Sequence, residues 1–371
     1  MMKKILHLTF DMRIGGTEQV IKNLIEGADT NEFENSIFCI ESPIGPFGKM
    51  LMDKGIHIHS EVRQQGFDFQ LVKNIRKYLN HHKVDILHCH QYTPWVYGTI
   101  AAIFTKTKIV FTEHGRFYPD SSKWKRKLVN PILNLFTDSV VAISKATKQA
   151  LAEYENIPKN SIEVIYNGIA ELYVDVQKTK KLKVSLGIDE GQTIFGTIAR
   201  FDPIKNHKMM ITAFAQVLKT NSNAILLIVG DGDERKNIER VISELNITDS
   251  VILTGYDPNP QHFLAMMDIY LLSSFSEGTS MTLLEAMSLG KPCVVTDAGG
   301  NAEIIQHKVN GLVTNNDDTE QFAIACNQFL ADKEQVMKYG LESRIIFERQ
   351  FALYKMVNDY KECYLKTRHV A

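Results

Sequence analysis

Short apolar runs rich in Ile and Val, each followed by a longer stretch with helical spacing, recur along the whole chain. This alternation restricts the fold more than any other feature. In the first half the strand-like runs cover residues 5–10, 35–40, 86–88, 109–112, 139–143 and 162–165, with helical stretches at 17–26, 69–81, 93–105 and 145–154. The second half repeats the style, with strands expected at 193–198, 224–229, 251–254, 269–272 and 292–296. Helices are expected there at 208–220, 233–245, 261–266, 280–289, 320–331 and 334–347, with a last one at 354–367. Strands that are apolar throughout, alternating with helices, belong to parallel sheets covered on both faces. A chain of 371 residues, at about 150 residues per domain, has room for two such doubly wound units. The charged, weakly apolar stretch 171–183 reads as the linker. The expected division is 1–175, 176–350 and a terminal helix, 351–371, packing back on the first domain.

Charge and cysteines narrow the class. The net charge is −1, too small a field to favour nucleic acid. It is unevenly spread: 23 Lys and Arg stand against 19 Asp and Glu up to Lys180, and 19 against 24 after it. The positive first half suits an anionic partner. Cys39, Cys89, Cys293, Cys326 and Cys363 are widely spaced and odd in number, which supports neither a zinc site nor a disulfide framework. Residues 5–10 hold a His and stop at Asp11 without a small-residue cleavage site, so they read as a first strand rather than a signal peptide. No apolar run approaches the roughly 18 residues that span a bilayer. The expected location is cytoplasmic, with peripheral contact at the inner face of the membrane.

Chemistry concentrates in the loops that follow strands, where ligands of open parallel sheets lie. In Ser273-Ser274-Phe275-Ser276-Glu277-Gly278-Thr279-Ser280-Met281-Thr282-Leu283-Leu284-Glu285-Ala286-Met287 a strand ends, a Gly loop follows and a helix opens. Unpaired amides at a helix start attract anions, and Gly278 lets a phosphate come close to the backbone. Carboxylates such as Glu277 and Glu285 accept hydrogen bonds from paired hydroxyls. Upstream, Arg200 and Lys205 lie in Ala199-Arg200-Phe201-Asp202-Pro203-Ile204-Lys205-Asn206-His207. There, two cations after a strand can hold an anion between them.

Taken together, Glu277 and Glu285 with seven residues between them, the Glu-Ala-Met at the second, and Arg200-x4-Lys205 resemble the signature of the retaining glycosyltransferases of family 4. The likeness extends over nearly the full chain. Asp11-Met12-Arg13-Ile14-Gly15-Gly16-Thr17-Glu18 is similar to that family's Gly-Gly loop, Gly230-Asp231-Gly232-Asp233 to its post-strand turn, and Tyr166-Asn167-Gly168-Ile169 to its crossover segment. Thr254-Gly255-Tyr256-Asp257 resembles the loop that reads the base, and Ala298-Gly299-Gly300-Asn301-Ala302-Glu303 the element closing the back of the donor pocket. The resemblance implies an α/β GT-B architecture: two facing Rossmann-like doubly wound parallel-sheet domains with an interdomain cleft.

It also implies roles. Arg200 and Lys205 would hold the diphosphate of a nucleotide diphosphate sugar, a uridine nucleotide by preference. Glu285 would hold ribose and Glu277 the sugar hydroxyls, with Gly278, Thr279, Ser280, Met281 and Thr282 adding backbone donors. Gly255 and Tyr256 would line the base, and Gly15 and Gly16 would border phosphates and acceptor. His114, in Thr112-Glu113-His114-Gly115-Arg116, would reach the transferred sugar. The catalytic set is thus His114, Arg200, Lys205 and Glu277. No loop carboxylate is an evident nucleophile, and the resemblance implies that departure and attack share one face of the sugar. Neither metal nor cofactor is expected. His88-x-His90 reads as support for the cleft wall. Ser122-Lys123-Trp124-Lys125-Arg126-Lys127-Leu128-Val129 begins a basic amphipathic stretch, through which Lys123, Lys125, Arg126 and Lys127 could touch an anionic membrane. The acceptor would then be a glycan or lipid-linked hydroxyl in polysaccharide synthesis. The competing readings are a sugar-nucleotide epimerase, which needs no acceptor, a phosphorylase, which needs phosphate, and a carbohydrate-binding protein without nucleotide affinity.

Overall fold

A computed structural model describes residues 2–115 and 123–366. Arg116 and Ser122 therefore lie outside the described residues. The chain divides into two compact units, Met1–Gly168 with Leu353–Ala371, and Ile169–Ala352.

The first unit is built on seven parallel strands: β1 (Lys3–Thr9), β2 (Phe33–Cys39), β3 (His57–Ser60), β4 (Ile86–His90), β5 (Lys108–Glu113), β6 (Ser139–Ala142) and β7 (Ile162–Val164). Their order is β3-β2-β1-β4-β5-β6-β7, a doubly wound sheet that reverses beside β1. Leu6, Leu8, Phe38, Leu87, Cys89 and Phe111 pack into one buried cluster with Trp95 from the helix Tyr92–Ala102. The helix Leu353–Leu365 belongs to this unit. It buries Tyr360 and Tyr364, whose hydroxyls reach Thr112 and His88.

The second unit carries β8 (Thr193–Ile198), β9 (Ala224–Val229), β10 (Val251–Gly255), β11 (Ile269–Leu272), β12 (Cys293–Thr296) and β13 (Gly311–Thr314). All are parallel, in the order β10-β9-β8-β11-β12-β13. Its core joins Phe195, Leu226, Ile228, Leu271 and Val294 to Phe214 and Phe322 of flanking helices.

Several sequence expectations need correction. The chain passes between units at Gly168–Ile169, seven residues before the expected position. Asn23 Nδ2 donates to the Gly168 carbonyl, which fixes that point to the first unit. The stretch read as a linker contains a helix, Val176–Ser185, started by Asp175, whose carboxylate accepts from the Gln177 and Lys178 amides. It buries none of its residues, so it leaves no apolar stripe for a sequence reading to find. Also unforeseen were β3, β13 and the helix Pro46–Asp53. Each is short, and β3 is an edge strand with no fully buried residue.

In the helix Trp124–Leu135, Arg126 is not available to a membrane. Its guanidinium bonds the buried Glu155 at 2.7 Å and lies 4.2 Å from the Tyr92 ring centroid. Lys123, Lys125 and Lys127 remain exposed beside Trp124, Leu128, Ile132 and Leu135. No helix among the described residues is long and apolar enough to cross a membrane.

Candidate active site

In the second unit, β8 runs into a tight turn made by three side chains. The Asp202 carboxylate accepts from the Ile204 amide, Pro203 fixes its own φ, and Asn206 takes φ +48° and caps the helix His207–Thr220. Lys205 thus sits at the tip of a rigid loop. The loop after β11 is stitched to it. Ser273 Oγ donates to the Lys205 carbonyl (2.9 Å) and the Phe275 amide to the Ile204 carbonyl (2.8 Å). This stitching brings Lys205 Nζ within 2.6 Å of Glu277 Oε1, which also accepts from Ser274 Oγ at 2.6 Å.

Glu277 is held from behind. Its carbonyl accepts from the Gly300 amide (3.0 Å), and Gly299, at φ +57°, lies so close that a Cβ there would stand 2.0 Å from that oxygen. A glycine at 299 therefore lets the β12 loop approach the Glu277 backbone. Ser280 then caps the helix Met281–Ser288 by accepting from the Leu283 amide. Thr282 Oγ1 accepts from the Tyr270 hydroxyl at 2.7 Å.

Arg200 does not join this cluster. Its side chain is 73% exposed and pairs with Asp202 at 2.7 Å, whereas Lys205 and Glu277 are 23% and 10% exposed. At the end of β10, Gly255 adopts φ +79° and its carbonyl accepts from the Gly230 amide, while the Tyr256 ring is 60% exposed.

Glu285 is half-buried, and loss of solvation pushes its carboxyl up to about 7. The folded state thus holds a proton that the unfolded chain releases near 4.5, so stability declines as pH rises from about 4.5 to 7. Glu285→Gln should remove this loss. The variant should be more stable than the parent by on the order of 2 kcal/mol at pH 8, with the difference gone below pH 5. Calorimetry at the two pH values checks this; an equal difference at both would mean that Glu285 is stably ionised.

In the first unit, Asp11 accepts from the Arg13 amide and pairs with its guanidinium at 2.7 Å. A Cβ on Gly15 would stand 2.4 Å from the Glu18 carboxylate, whereas one on Gly16 would meet nothing within 4 Å. Folding thus demands neither glycine, since the Glu18 carboxylate can swing away from 15 and 16 faces open space.

His114 follows β5 and is part of a larger constellation. His90 Nδ1 and His114 Nε2 are 2.9 Å apart, His7 Nδ1 and His90 Nε2 3.0 Å, and His7 Nε2 lies 3.1 Å from Asn35 Oδ1. His88 bonds Thr112 and Tyr364. Burial lowers all four imidazoles: His7 to about 4, His114 to about 3, and His88 and His90 well below the usual value. Nitrogens of His7, His88 and His90 lie mutually within 4.8 Å, in reach of one cation. Both nitrogens of each ring are nevertheless engaged by the partners just named.

Sequence reasoning missed His7, Asn35, Tyr360 and Tyr364. The usable signal was a His inside an apolar parallel strand, since a buried polar group requires a partner. His7 pairs in register with His88, and His90 lies two residues further on the same face.

Comparisons with known proteins agree over the whole chain. Residues 14–171 match the family described as Glycosyltransferase Family 4, and residues 178–344 match Glycosyl transferases group 1. N-acetyl-alpha-D-glucosaminyl L-malate synthase of Bacillus anthracis is 30% identical, covering 98% of this chain and 97% of the relative. UDP-Gal:alpha-D-GlcNAc-diphosphoundecaprenol alpha-1,3-galactosyltransferase of Escherichia coli is 24% identical, over 98% and 96%. Anabaena HepE, crystallised with UDP, superposes with a TM-score of 0.87 at 23% identity, covering 97% of this chain and 99% of that one. That last likeness is one of fold, the GT-B fold of two parallel-sheet domains.

Proposed function

Because this chain belongs to glycosyltransferase family 4, with the group 1 glycosyl transferases' domain in its second unit, we propose that it moves a sugar from a uridine diphosphate sugar to a hydroxyl with retention of configuration. The observation that carries this reading is the Lys205–Glu277–Ser274 cluster, held between two stitched loops just before the helix start at Met281. A fixed ammonium and a carboxylate side by side suit a diphosphate and the hydroxyls of its sugar. Names of relatives support the uridine nucleotide and a sugar of the hexose or N-acetylhexosamine class.

In this reading the glycosidic bond to the diphosphate breaks as the acceptor oxygen attacks the same face. The acceptor proton passes to a diphosphate oxygen. Lys205 meets the growing negative charge, and Arg200 joins it by leaving Asp202, which its exposure permits. Glu285 accepts from the ribose hydroxyls, and Tyr256 and Gly255 lie against the base. Gly278, Thr279, Ser280, Met281 and Thr282 supply amides to the phosphates. Gly15 and Gly16 border phosphates and acceptor, and His114 contacts a hydroxyl of the sugar. Reaction without a divalent metal follows from giving Lys205 and Arg200 this role.

The acceptor we assign is a lipid-linked glycan. The exposed row Trp124, Leu128, Ile132 and Leu135, flanked by Lys123, Lys125 and Lys127, suits the surface of an anionic bilayer. A small hydroxy acid is the second reading, favoured by the L-malate in the name of the 30%-identical relative. Incubation of the protein and EDTA with a panel of nucleotide sugars, and with either lipid-linked glycan in vesicles or L-malate, tests these points together. The expected product is an α-glycoside from an α-linked uridine donor, formed in EDTA on the lipid-linked acceptor. A β-linked product would overturn retention, and transfer to malate alone would overturn the acceptor.

A further inference from the structure

Asn35, His7, His90 and His114 form one hydrogen-bonded line across the first unit's sheet. In the strand order β2-β1-β4-β5, Asn35 stands on β2, His7 on β1, His90 on β4, and His114 one residue beyond the end of β5. Register places them on one face: His7 pairs with His88, two residues before His90, and His90 pairs with Thr112, two residues before His114. The three spacings, 3.1, 3.0 and 2.9 Å, are each a hydrogen bond. At the far end His114 Nδ1 is buried and has no partner among the described residues.

A neutral imidazole has one donor and one acceptor, so the first bond in such a line dictates the rest. Asn35 Oδ1 can only accept, so His7 carries its proton on Nε2 and accepts at Nδ1. His90 therefore donates from Nε2 and accepts at Nδ1, and His114 donates from Nε2. What remains at the end is a bare lone pair on His114 Nδ1. The opposite order would end on a buried N–H without an acceptor, which proteins tolerate less readily than a vacant lone pair. Both ends of the line thus favour the same direction. Burial keeps these rings neutral at pH 7.

We propose that Asn35, His7 and His90 are positioning residues that lock His114 in its Nε2–H tautomer, so that Nδ1 accepts a hydrogen bond from a hydroxyl of the bound sugar. The proposal deepens, and rests on, the reading of His114 as a sugar contact. Neither His7 nor His90 needs to touch substrate. Their effect is to choose which kind of hydrogen bond His114 can make, and hence to favour a hydroxyl proton over a substrate oxygen at that place.

A cavity of about 230 Å³, lined by Asn35, His7, Gly27, Asp29, Val357 and Tyr364 among others, adjoins the start of the line. It leaves room to change Asn35 without displacing the sheet. Asn35→Lys replaces an acceptor by a group that only donates, which should reverse every proton in the line. The full chain, labelled with ¹⁵N in its histidine rings, is observed at pH 7.5, with the His114 signals identified by their loss in His114→Ala. The parent should show a pyridine-like Nδ1 and a pyrrole-like Nε2 for His114, Asn35→Lys the reverse, and Asn35→Asp the parental pattern. Turnover in Asn35→Lys should fall roughly tenfold, the usual scale for a lost acceptor, with uridine diphosphate affinity unchanged, and Asn35→Asp should restore it. If Asn35→Lys fails to fold, Asn35→Leu, which only removes the acceptor, should show both tautomers of His114. An unaltered His114 pattern in the folded variants overturns the lock, as does a parental Nδ1–H. A reversed pattern with unchanged turnover overturns its role in transfer. Full activity in His114→Ala, by contrast, overturns the reading of His114 as a sugar contact and leaves the spectra to judge the lock alone.

Discussion

Lys205→Ala should lower transfer by about two to three orders of magnitude, the scale seen when one preorganised charge-stabilising group is removed, and should weaken uridine diphosphate binding. The effect is expected to be large because the ammonium is held in place before any ligand arrives. The turn Asp202–Asn206 is rigid, its carbonyls are tied to Ser273, and Nζ rests on Glu277. Folding should be little affected, since Ser274 still donates to Glu277 Oε1 and the turn is made by other side chains. The partner substitution separates two roles. In the unliganded protein Lys205 is committed to Glu277, so a diphosphate must compete for it. Glu277→Gln keeps a hydrogen-bonding group near Ser274 yet frees the ammonium. Nucleotide affinity should hold or rise while turnover falls. Calorimetric titration with uridine diphosphate, alongside a transfer assay, distinguishes these outcomes. Loss of nucleotide binding in Glu277→Gln would place that carboxylate on the nucleotide rather than the sugar. Unchanged turnover in Lys205→Ala would remove the phosphate assignment.

How much of this was legible in the sequence depends on what each residue had to bury. Central parallel strands are apolar on both faces, so β8, β9 and β11 were expected at their observed bounds. Edge strands and surface helices bury little, and β3 and Val176–Ser185 left no readable pattern. The acidic loop and Lys205 could be found from spacing because both follow strands of one sheet, where loops converge. Arg200 shows the limit of that reasoning. Its place in the loop was foreseeable, but its pairing with Asp202 depends on a side-chain rotation that spacing does not encode. The same holds for Arg126, whose cationic character suggested a membrane but whose neighbours Glu155 and Tyr92 come from distant segments. The histidine line was hidden for a different reason. Its members lie on β2, β1, β4 and beyond β5, and only the strand order places them side by side.

Acidification from pH 7.5 to 5 should destabilise the first unit strongly. Three fully buried imidazoles, His7, His88 and His90, are held neutral there by loss of solvation. The unfolded chain takes up their protons near 6.5, whereas the folded unit does so far lower, about 4 for His7. Stability therefore falls as pH drops through 6.5 and continues to fall until the folded value is reached. For His7 alone the loss at pH 5 is about 2 kcal/mol. His88 and His90 add to it in the same direction, against a total of roughly 5 to 15 kcal/mol for a typical domain. Glu18 works the other way, since burial raises its carboxyl, but it is one group against three. Carboxylates whose values are lowered, such as Glu26, begin to matter only at lower pH. The chain has two tryptophans, buried Trp95 and exposed Trp124, both in the first unit. Their fluorescence reports that unit alone. The urea midpoint it records should drop markedly from pH 7.5 to 5. Calorimetry should show little net change in the second unit, where the loss from His207, lowered to about 4, is offset by the gain from Glu285, raised to about 7. A tryptophan-detected midpoint that stays constant over this range would mean that the line of imidazoles takes up protons without unfolding.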